Sequence, residues 1–365
     1  MASAADARWM GLALSLGARG LGRVWPNPAV GCVIVRDGRV VGRGWTQDGG
    51  RPHAETMALA QAGRAARGAT AYVSLEPCNH HGQTPPCSEA LIAAGVSRVV
   101  VALTDPDPRV AGGGLARLQA AGIEVVIGIC EAEARLAHRG FLSRVTQGRP
   151  MLTLKLATSA DGRIATATAE SQWITGPEAR RHVHAMRARH DAVLVGAGTA
   201  RADDPSLTVR GLGVAHQPVR VVLSRRLDLP EGSALMRTAR EVPVWLCHGP
   251  DAPGAARDAW DRAGARLIEV LSGPGGQLDL AQVMAALGQA GLTRVFCEGG
   301  GTLAAGLLSA DLVDELAVVS AGIVLGAEGT PAIGAMGIAA LSEAPRFSLR
   351  ELQSLGGDVL AIWSR

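Results

Sequence analysis

Aromatic side chains are scarce in this sequence: one tyrosine, three phenylalanines and seven tryptophans make up 3% of 365 residues. Charge is also thin and balanced, with 36 Lys and Arg against 33 Asp and Glu, a net of +3. No stretch collects five or more like charges, so a broad polyanion-binding face is not indicated and nucleic acid is a poor partner. No apolar run reaches the roughly 20 residues a membrane span needs. The opening Met1-Ala2-Ser3-Ala4-Ala5-Asp6-Ala7-Arg8 lacks a basic start followed by an unbroken apolar core, which argues against a secretory signal. Cysteine is sparse as well. Cys32, Cys130, Cys247 and Cys297 stand alone in apolar segments, as buried thiols do in a reducing compartment, and only Cys78 and Cys87 lie close together among polar residues and prolines. The expected location is the cytoplasm.

What is present is glycine, 47 residues of it, within a composition that is 47% hydrophobic and 19% charged. Such a chain is globular rather than disordered, and its glycines suit short turns and close packing of helix on sheet. Its length exceeds one compact core and predicts two domains. A helix is expected over Asp6–Ala18, a hairpin over Val30–Trp45 around the turn pair Asp37-Gly38, and a helix over 54–67. Strands at 71–75, 98–103 and 124–129 then alternate with helices at 88–94, 115–121 and 131–138, the pattern of a mostly parallel, helix-covered sheet. The polar break Thr146-Gln147-Gly148-Arg149-Pro150 marks the domain boundary. Beyond it the alternation resumes, from a strand at Met151–Ala157 to one at Glu315–Val319. The class is α/β throughout.

His53-Ala54-Glu55, Pro77-Cys78 and Pro86-Cys87 carry the first chemistry. One imidazole and two thiolates leave a fourth position on zinc open to water, which is the catalytic rather than the structural arrangement. Helix N-termini favour the thiolate form of both cysteines. Bound zinc lowers the pKa of its water from about 16 toward about 7. Two positions on a continuous helix point roughly 200° apart, so His53 and Glu55 serve one site only if His53 lies at or before the first helical residue. Glu55 is then free to carry a proton from water to a leaving amine. His80 or His81 as a fourth ligand would close the site and make it structural.

The spacer from Cys78 to Cys87 is longer than the P-C-x-x-C of nucleoside deaminases. With Pro26-Asn27-Pro28-Ala29-Val30-Gly31 upstream, it resembles closely the pyrimidine deaminase of riboflavin biosynthesis. From Pro150 onward the residues resemble the reductase half of the bifunctional riboflavin biosynthesis deaminase/reductase. The markers are Lys155 to Arg163, Ser171 to Thr175, Gly198-Thr199, Asp203 to Arg210 and Glu298 to Leu303. The resemblance covers nearly the whole chain. It implies a cytidine deaminase-like three-layer domain over 1–147, followed by a dihydrofolate reductase-like α/β domain over 150–365. It also implies one zinc ion, NADPH and self-association.

By this resemblance the zinc ligands are His53, Cys78 and Cys87, the proton carrier is Glu55, and Asn27 binds substrate. In the second domain Lys155 lies near the reacting carbon. Ser171, Arg187, Leu207, Arg210 and Glu298 line the substrate side, with Arg187 and Arg210 suited to a phosphate. Ala157, Trp173, Thr199, Asp203, Ser224, Gly300, Gly301, Thr302 and Leu303 line the nucleotide. The implied substrate is a small phosphorylated pyrimidine, deaminated first and then reduced at its ribosyl group. Read without the resemblance, the glycines after Glu298 form a strand-to-helix turn that could hold a pyrophosphate. Ser224-Arg225-Arg226 ends a strand where a 2′-phosphate could sit, which favours NADP. Gly112-Gly113-Gly114 reads as a tight turn, and His182, His184 and His190 as surface histidines rather than ligands. Two rivals remain: a tRNA or nucleobase deaminase fused to an unrelated domain, and a non-catalytic protein that binds zinc and nucleotide.

Overall fold

The computed structural model describes residues 4–79, 85–107 and 111–365, and the chain forms two compact units, Met1–Gly148 and Arg149–Arg365. In the first unit helix α1 (Ala4–Gly17) precedes a hairpin of β1 (Gly31–Arg36) and β2 (Arg39–Trp45). Asp37 and Gly38 turn it with φ of 50° and 70°, the left-handed pair a two-residue hairpin loop demands. There follow α2 (Ala54–Ala62), β3 (Thr70–Val73), α3 (Cys87–Ala94), β4 (Arg98–Val101), α4 (Gly113–Ala120), β5 (Glu124–Ile127) and α5 (Glu131–Gln147). The strand order is β2-β1-β3-β4-β5, with β1 antiparallel to both its neighbours and β3 to β5 parallel.

Glycine sets the layer spacing at β1 and β2. A Cβ on Gly31 would lie 1.8 Å from the Ala13 carbonyl oxygen of α1, and one on Gly44 would lie 2.4 Å from the Ala54 carbonyl oxygen of α2. Gly44 pairs with Cys32, the residue after Gly31, and successive strand residues face opposite sides. The two helices therefore cover opposite faces, which makes three layers. Buried Asp6 ties α1 to the sheet, accepting from the Tyr72 hydroxyl at 2.9 Å and from Arg98 Nη1 at 2.8 Å. Burial and the neighbouring Asp6 push the Tyr72 hydroxyl up to about 12.

The second unit runs β6 (Met151–Ser159), β7 (Arg163–Ala165), α6 (Pro177–Ala188), β8 (Ala192–Gly196), α7 (Ala197–Asp203), β9 (Val219–Leu223), α8 (Ala234–Arg237), β10 (Val244–His248) and α9 (Gly254–Ala263). It continues with β11 (Arg266–Glu269), α10 (Leu280–Gln289), β12 (Arg294–Cys297), α11 (Gly301–Ser309), β13 (Glu315–Ala321), β14 (Thr330–Pro331), β15 (Ser348–Leu355) and β16 (Asp358–Ser364). Nine strands form one sheet in the order β11-β10-β9-β8-β12-β6-β13-β16-β15. It is parallel from β11 to β13, and its fully buried Val193, Val221, Leu246 and Phe296 are the apolar runs that a sheet covered on both faces requires. No described helix is long and apolar enough to cross a membrane.

Several expected elements shift. The helix expected at 131–138 continues to Gln147, because Ala134, His138 and Phe141 form one buried stripe that half-buried Val145 carries on. Thr146 and Gln147 are therefore helical, and the break begins at Gly148, a left-handed C-cap. Gly113 and Gly114 are the first turn of α4 rather than a tight turn. His190 is not a surface residue. It lies beyond α6, buried, with Nε2 bonded to Thr153 Oγ1 at 3.0 Å and Nδ1 to the Met186 carbonyl oxygen at 2.7 Å. The sheet also has an antiparallel end, β13-β16-β15, that the alternation of strands and helices did not foretell.

Candidate active sites

His53 is the N-cap of α2, with φ −72° and ψ 161°. Its extended backbone swings the ring toward the side that Glu55, buried in the first turn, also reaches. Cys87 opens α3, and its amide donates to Cys78 Sγ at 3.4 Å. The His53 Nδ1 lies 3.6 Å from Cys78 Sγ and 3.4 Å from Cys87 Sγ. All three donor atoms fall within 4.8 Å of one another. Zinc bonds of about 2.1 Å to nitrogen and about 2.3 Å to sulfur at a tetrahedral angle put those atoms about 3.6 Å apart. The set fits a zinc ion without rearrangement. His80 and His81, considered as further ligands, lie outside the described residues.

The electrostatics are those of a closely shared site. Hydrogen bonds from the Cys87 thiol, His53 and the Cys87 amide outweigh burial and lower Cys78 to about 4. The Cys87 thiol, bonded to that sulfur and buried, is raised. Burial first, and then the nearby Cys78 sulfur, lift Glu55 to about 7. A divalent cation here would favour both thiolates.

Glu76, two residues before Cys78, went unnoticed in the sequence. It is buried and accepts from four backbone amides: Asp105 at 3.2 Å, Gly112 at 3.0 Å, Gly114 at 3.0 Å and Leu115 at 3.3 Å. A Cβ on Gly114 would lie 2.0 Å from the Pro77 carbonyl oxygen. The start of α4 is thus locked against the Glu76-Pro77-Cys78 segment that carries a ligand.

Gly50 was missed too. Its φ is +85°, and a Cβ there would stand 1.9 Å from Asn27 Nδ2. If Asn27 binds substrate, as the sequence resemblance implies, Gly50→Ala should displace its amide and raise the KM for deamination about fivefold or more, the worth of one hydrogen bond. Bound zinc and the reduction rate should not change. Steady-state assays of each reaction beside metal analysis check this.

In the second unit Glu298 follows β12 and stands between two cations. Arg187 Nε of α6 donates to its Oε1 at 2.5 Å, and Lys155 Nζ of β6 lies 3.7 Å from its Oε2. Burial alone would raise Glu298, but Arg187 and Lys155 prevail and lower it. Burial lowers Lys155 against the pull of Glu298. Arg187 Nη1 also donates to the Thr208 carbonyl oxygen at 2.9 Å, bringing Leu207, which is buried with φ 52°, into this neighbourhood. Arg210 is exposed, and its amide donates to His184 Nδ1 at 3.2 Å.

Gly300 caps α11 and Gly301 begins it. The Thr199 Oγ1 of α7 would lie 3.7 Å from a Gly300 Cβ, and the Leu303 side chain 2.6 Å from a Gly299 Cβ. Asp203 ends α7, Thr302 is exposed, and Ala157 sits on β6 two residues from Lys155, on the same face of the strand. Trp173 is 66% exposed, with the Arg180 guanidinium 4.6 Å above its ring. Ser171 is half-buried in the segment that precedes α6. Ser224 is buried and its hydroxyl donates to Asp228 at 3.0 Å, leaving Arg225 and Arg226 as the more accessible groups at that strand end.

Known proteins resemble both units. The family model described as "Cytidine and deoxycytidylate deaminase zinc-binding region" matches residues 3–103, and the one described as "RibD C-terminal domain" matches 150–361. The riboflavin biosynthesis protein RibD of Escherichia coli is 45% identical over 358 residues, covering 97% of this chain and 98% of that one. Its Aquifex aeolicus counterpart is 39% identical, covering 99% and 98%. The solved structure of Acinetobacter baumannii RibD superposes with a TM-score of 0.89 at 40% identity, covering 99% and 98%. A Thermotoga maritima structure, described as a diaminohydroxyphosphoribosylaminopyrimidine deaminase/5-amino-6-(5-phosphoribosylamino)uracil reductase, does so with 0.85 at 33%, with the same coverage. Full-length matches of this kind leave no room for an unrelated second domain, and the chain belongs to the RibD family of riboflavin biosynthesis proteins.

Proposed function

We propose that this chain catalyses two consecutive reactions on one phosphorylated pyrimidine, deamination in residues 1–147 and reduction in residues 150–365. The substrate is 2,5-diamino-6-ribosylamino-4(3H)-pyrimidinone 5′-phosphate and the product 5-amino-6-ribitylamino-uracil 5′-phosphate. The convergence of His53, Cys78 and Cys87 within 4.8 Å, on a helix start that also carries the buried carboxylate of Glu55, supports this reading most strongly.

Zinc, when bound, supplies a water acidic enough to attack at neutral pH and a Lewis acid beside the ring carbon. His53, Cys78 and Cys87 hold it, and their being three leaves room for that water. Glu55 takes the proton of the attacking water and returns it to the departing amine, so that water enters and ammonia leaves. Asn27 orients the pyrimidine.

NADPH supplies the hydride for the second reaction. Gly300, Gly301, Thr302 and Leu303 present the α11 N-terminus to its pyrophosphate, with Ala157, Trp173, Thr199, Asp203 and Ser224 along the rest of the nucleotide. Arg187 and Arg210 grip the substrate phosphate, while Ser171, Leu207 and Glu298 shape the pocket around the ribose. Lys155, buried yet paired with Glu298, stabilises charge where the sugar ring opens.

The buried thiols of Cys32, Cys247 and Cys297 suit a cytoplasmic location. Exposed Leu349, Leu352 and Val359 at the antiparallel end of the sheet offer an apolar surface for self-association.

The test follows ammonia release and NADPH oxidation separately. With the diaminopyrimidine as substrate, ammonia should appear first and NADPH oxidation should follow. A zinc chelator should stop both, and adding the deaminated intermediate should restore NADPH oxidation alone. NADPH oxidation without prior ammonia release would contradict the assigned order.

A further inference from the structure

The segment Thr208–Arg210 has no regular secondary structure, yet a side chain from elsewhere holds each of its residues. Arg187 Nη1 donates to the Thr208 carbonyl oxygen at 2.9 Å. The Gln217 amide clasps Val209 from both sides, accepting from its N–H at 2.7 Å and donating to its carbonyl oxygen at 3.1 Å. His184 Nδ1 accepts from the Arg210 N–H at 3.2 Å. His184 and Arg187 are three residues apart on α6 and so share a face. Two bonds from one helix thus fix both ends of this short segment.

A backbone N–H can only donate. The ring nitrogen facing it must be unprotonated, and neutral His184 then carries its proton on Nε2. We propose that His184 is a positioning residue of the reductase half, its neutral imidazole holding the Arg210 backbone so that the arginine side chain meets the substrate phosphate. This rests on the reading that Arg187 and Arg210 bind that phosphate.

The charges facing the ring are Arg187 on its own helix, Arg210 on the tethered segment and Glu298 beyond β12. Burial and the two guanidiniums lower His184 below the usual histidine range, against Glu298 and the Thr208 backbone. At neutral pH the acceptor is therefore in place. In acid, a protonated Nδ1 confronts the N–H, donor against donor, and the tether is lost. Hydride transfer does not involve His184, so the loss falls on substrate affinity.

The experiment measures reduction of the deaminated intermediate by the full-length enzyme from about pH 5.5 to 8.5, with His184→Asn, His184→Leu and Arg210→Ala alongside. In asparagine, Oδ1 occupies the place of Nδ1 and does not titrate. At pH 8 His184→Asn should keep KM within about twofold of wild type, whereas His184→Leu should raise it about tenfold with kcat unchanged. As the pH falls below the usual histidine range, the wild-type KM should climb toward that of the leucine variant. The asparagine variant should show only the titration of the substrate phosphate itself, near about pH 6. Nitrogen-15 shifts of the His184 ring should report the Nε2–H tautomer at pH 7.5. Parallel KM profiles for wild type and His184→Asn, an Nδ1–H tautomer, or equal KM for wild type and His184→Leu at pH 8 would overturn the proposal. If Arg210→Ala raises KM while His184→Leu does not, the tether alone fails. If Arg210→Ala leaves KM unchanged, the phosphate reading beneath it fails as well.

Discussion

Glu55→Gln is expected to slow ammonia release by about 10²- to 10⁴-fold, the usual contribution of a positioned proton carrier, while reduction of the deaminated intermediate stays within about twofold of wild type. Glutamine matches glutamate in shape and keeps the first turn of α2 intact. It also leaves the metal set untouched, because the three donor atoms belong to His53, Cys78 and Cys87. What it removes is the buried carboxylate, 3% exposed, proposed to take a proton from the attacking water and release it to the amine. Metal analysis of the variant should show wild-type zinc. If ammonia release survived undiminished, another group would have to move the proton.

In the second unit the largest effect is expected from Glu298→Gln. The carboxylate is the shared counter-charge of Arg187 and Lys155, with side-chain exposures of only 10%, 13% and 17% for the three groups. Removing one partner of a largely buried charge cluster strands the others and costs about 3 kcal/mol or more. Lys155, already lowered by burial, also loses the neighbour that favours its charge. Reduction should fall by about 100-fold or more. Reductase activity should be lost at a lower urea concentration than in wild type, with the midpoint for ammonia release unchanged. Because the folded pKa of Glu298 is depressed, its stabilising effect is fully present above the unfolded glutamate value of about 4.3 and fades as pH falls through the folded value. The variant should therefore lack that part of the acid sensitivity of wild type. An unchanged urea midpoint for reductase activity would mean that the cluster is not a stabilising one.

The first site was legible because its signals are local. His53 and Glu55 are two residues apart and each cysteine follows a proline, a pattern that points to a shared metal, although only Cys87 opens a helix and Cys78, also expected at a helix start, lies in irregular backbone after β3. The hairpin at Asp37-Gly38 was equally plain, since only a few residue pairs tolerate two consecutive left-handed positions. Glu76 was hidden for a different reason. Its partners are main-chain amides some 30 to 40 residues ahead, and an amide carries no side-chain signature. Gly50 looked like any of 47 glycines until the Asn27 amide was seen packed on it. The end of α5 was misjudged at Gly140, which a helix tolerates when its stripe of buried residues continues. β15 was missed because all of its side chains except Leu355 are exposed, which leaves no apolar alternation to read. The tethers on Thr208–Arg210 depend on α6 lying beside that segment, a tertiary fact that no local pattern encodes.

X-ray absorption at the zinc edge of the purified protein tests the metal centre most directly. Two sulfurs at about 2.3 Å, a single imidazole and one further light atom at about 2.0–2.1 Å are predicted. The light atom should respond to a pyrimidine transition-state analogue, and Glu55→Gln should leave the sulfur and imidazole counts unchanged. A second imidazole or a third sulfur in the shell would mean that the protein itself closes the fourth position, and a centre of that kind could not activate water.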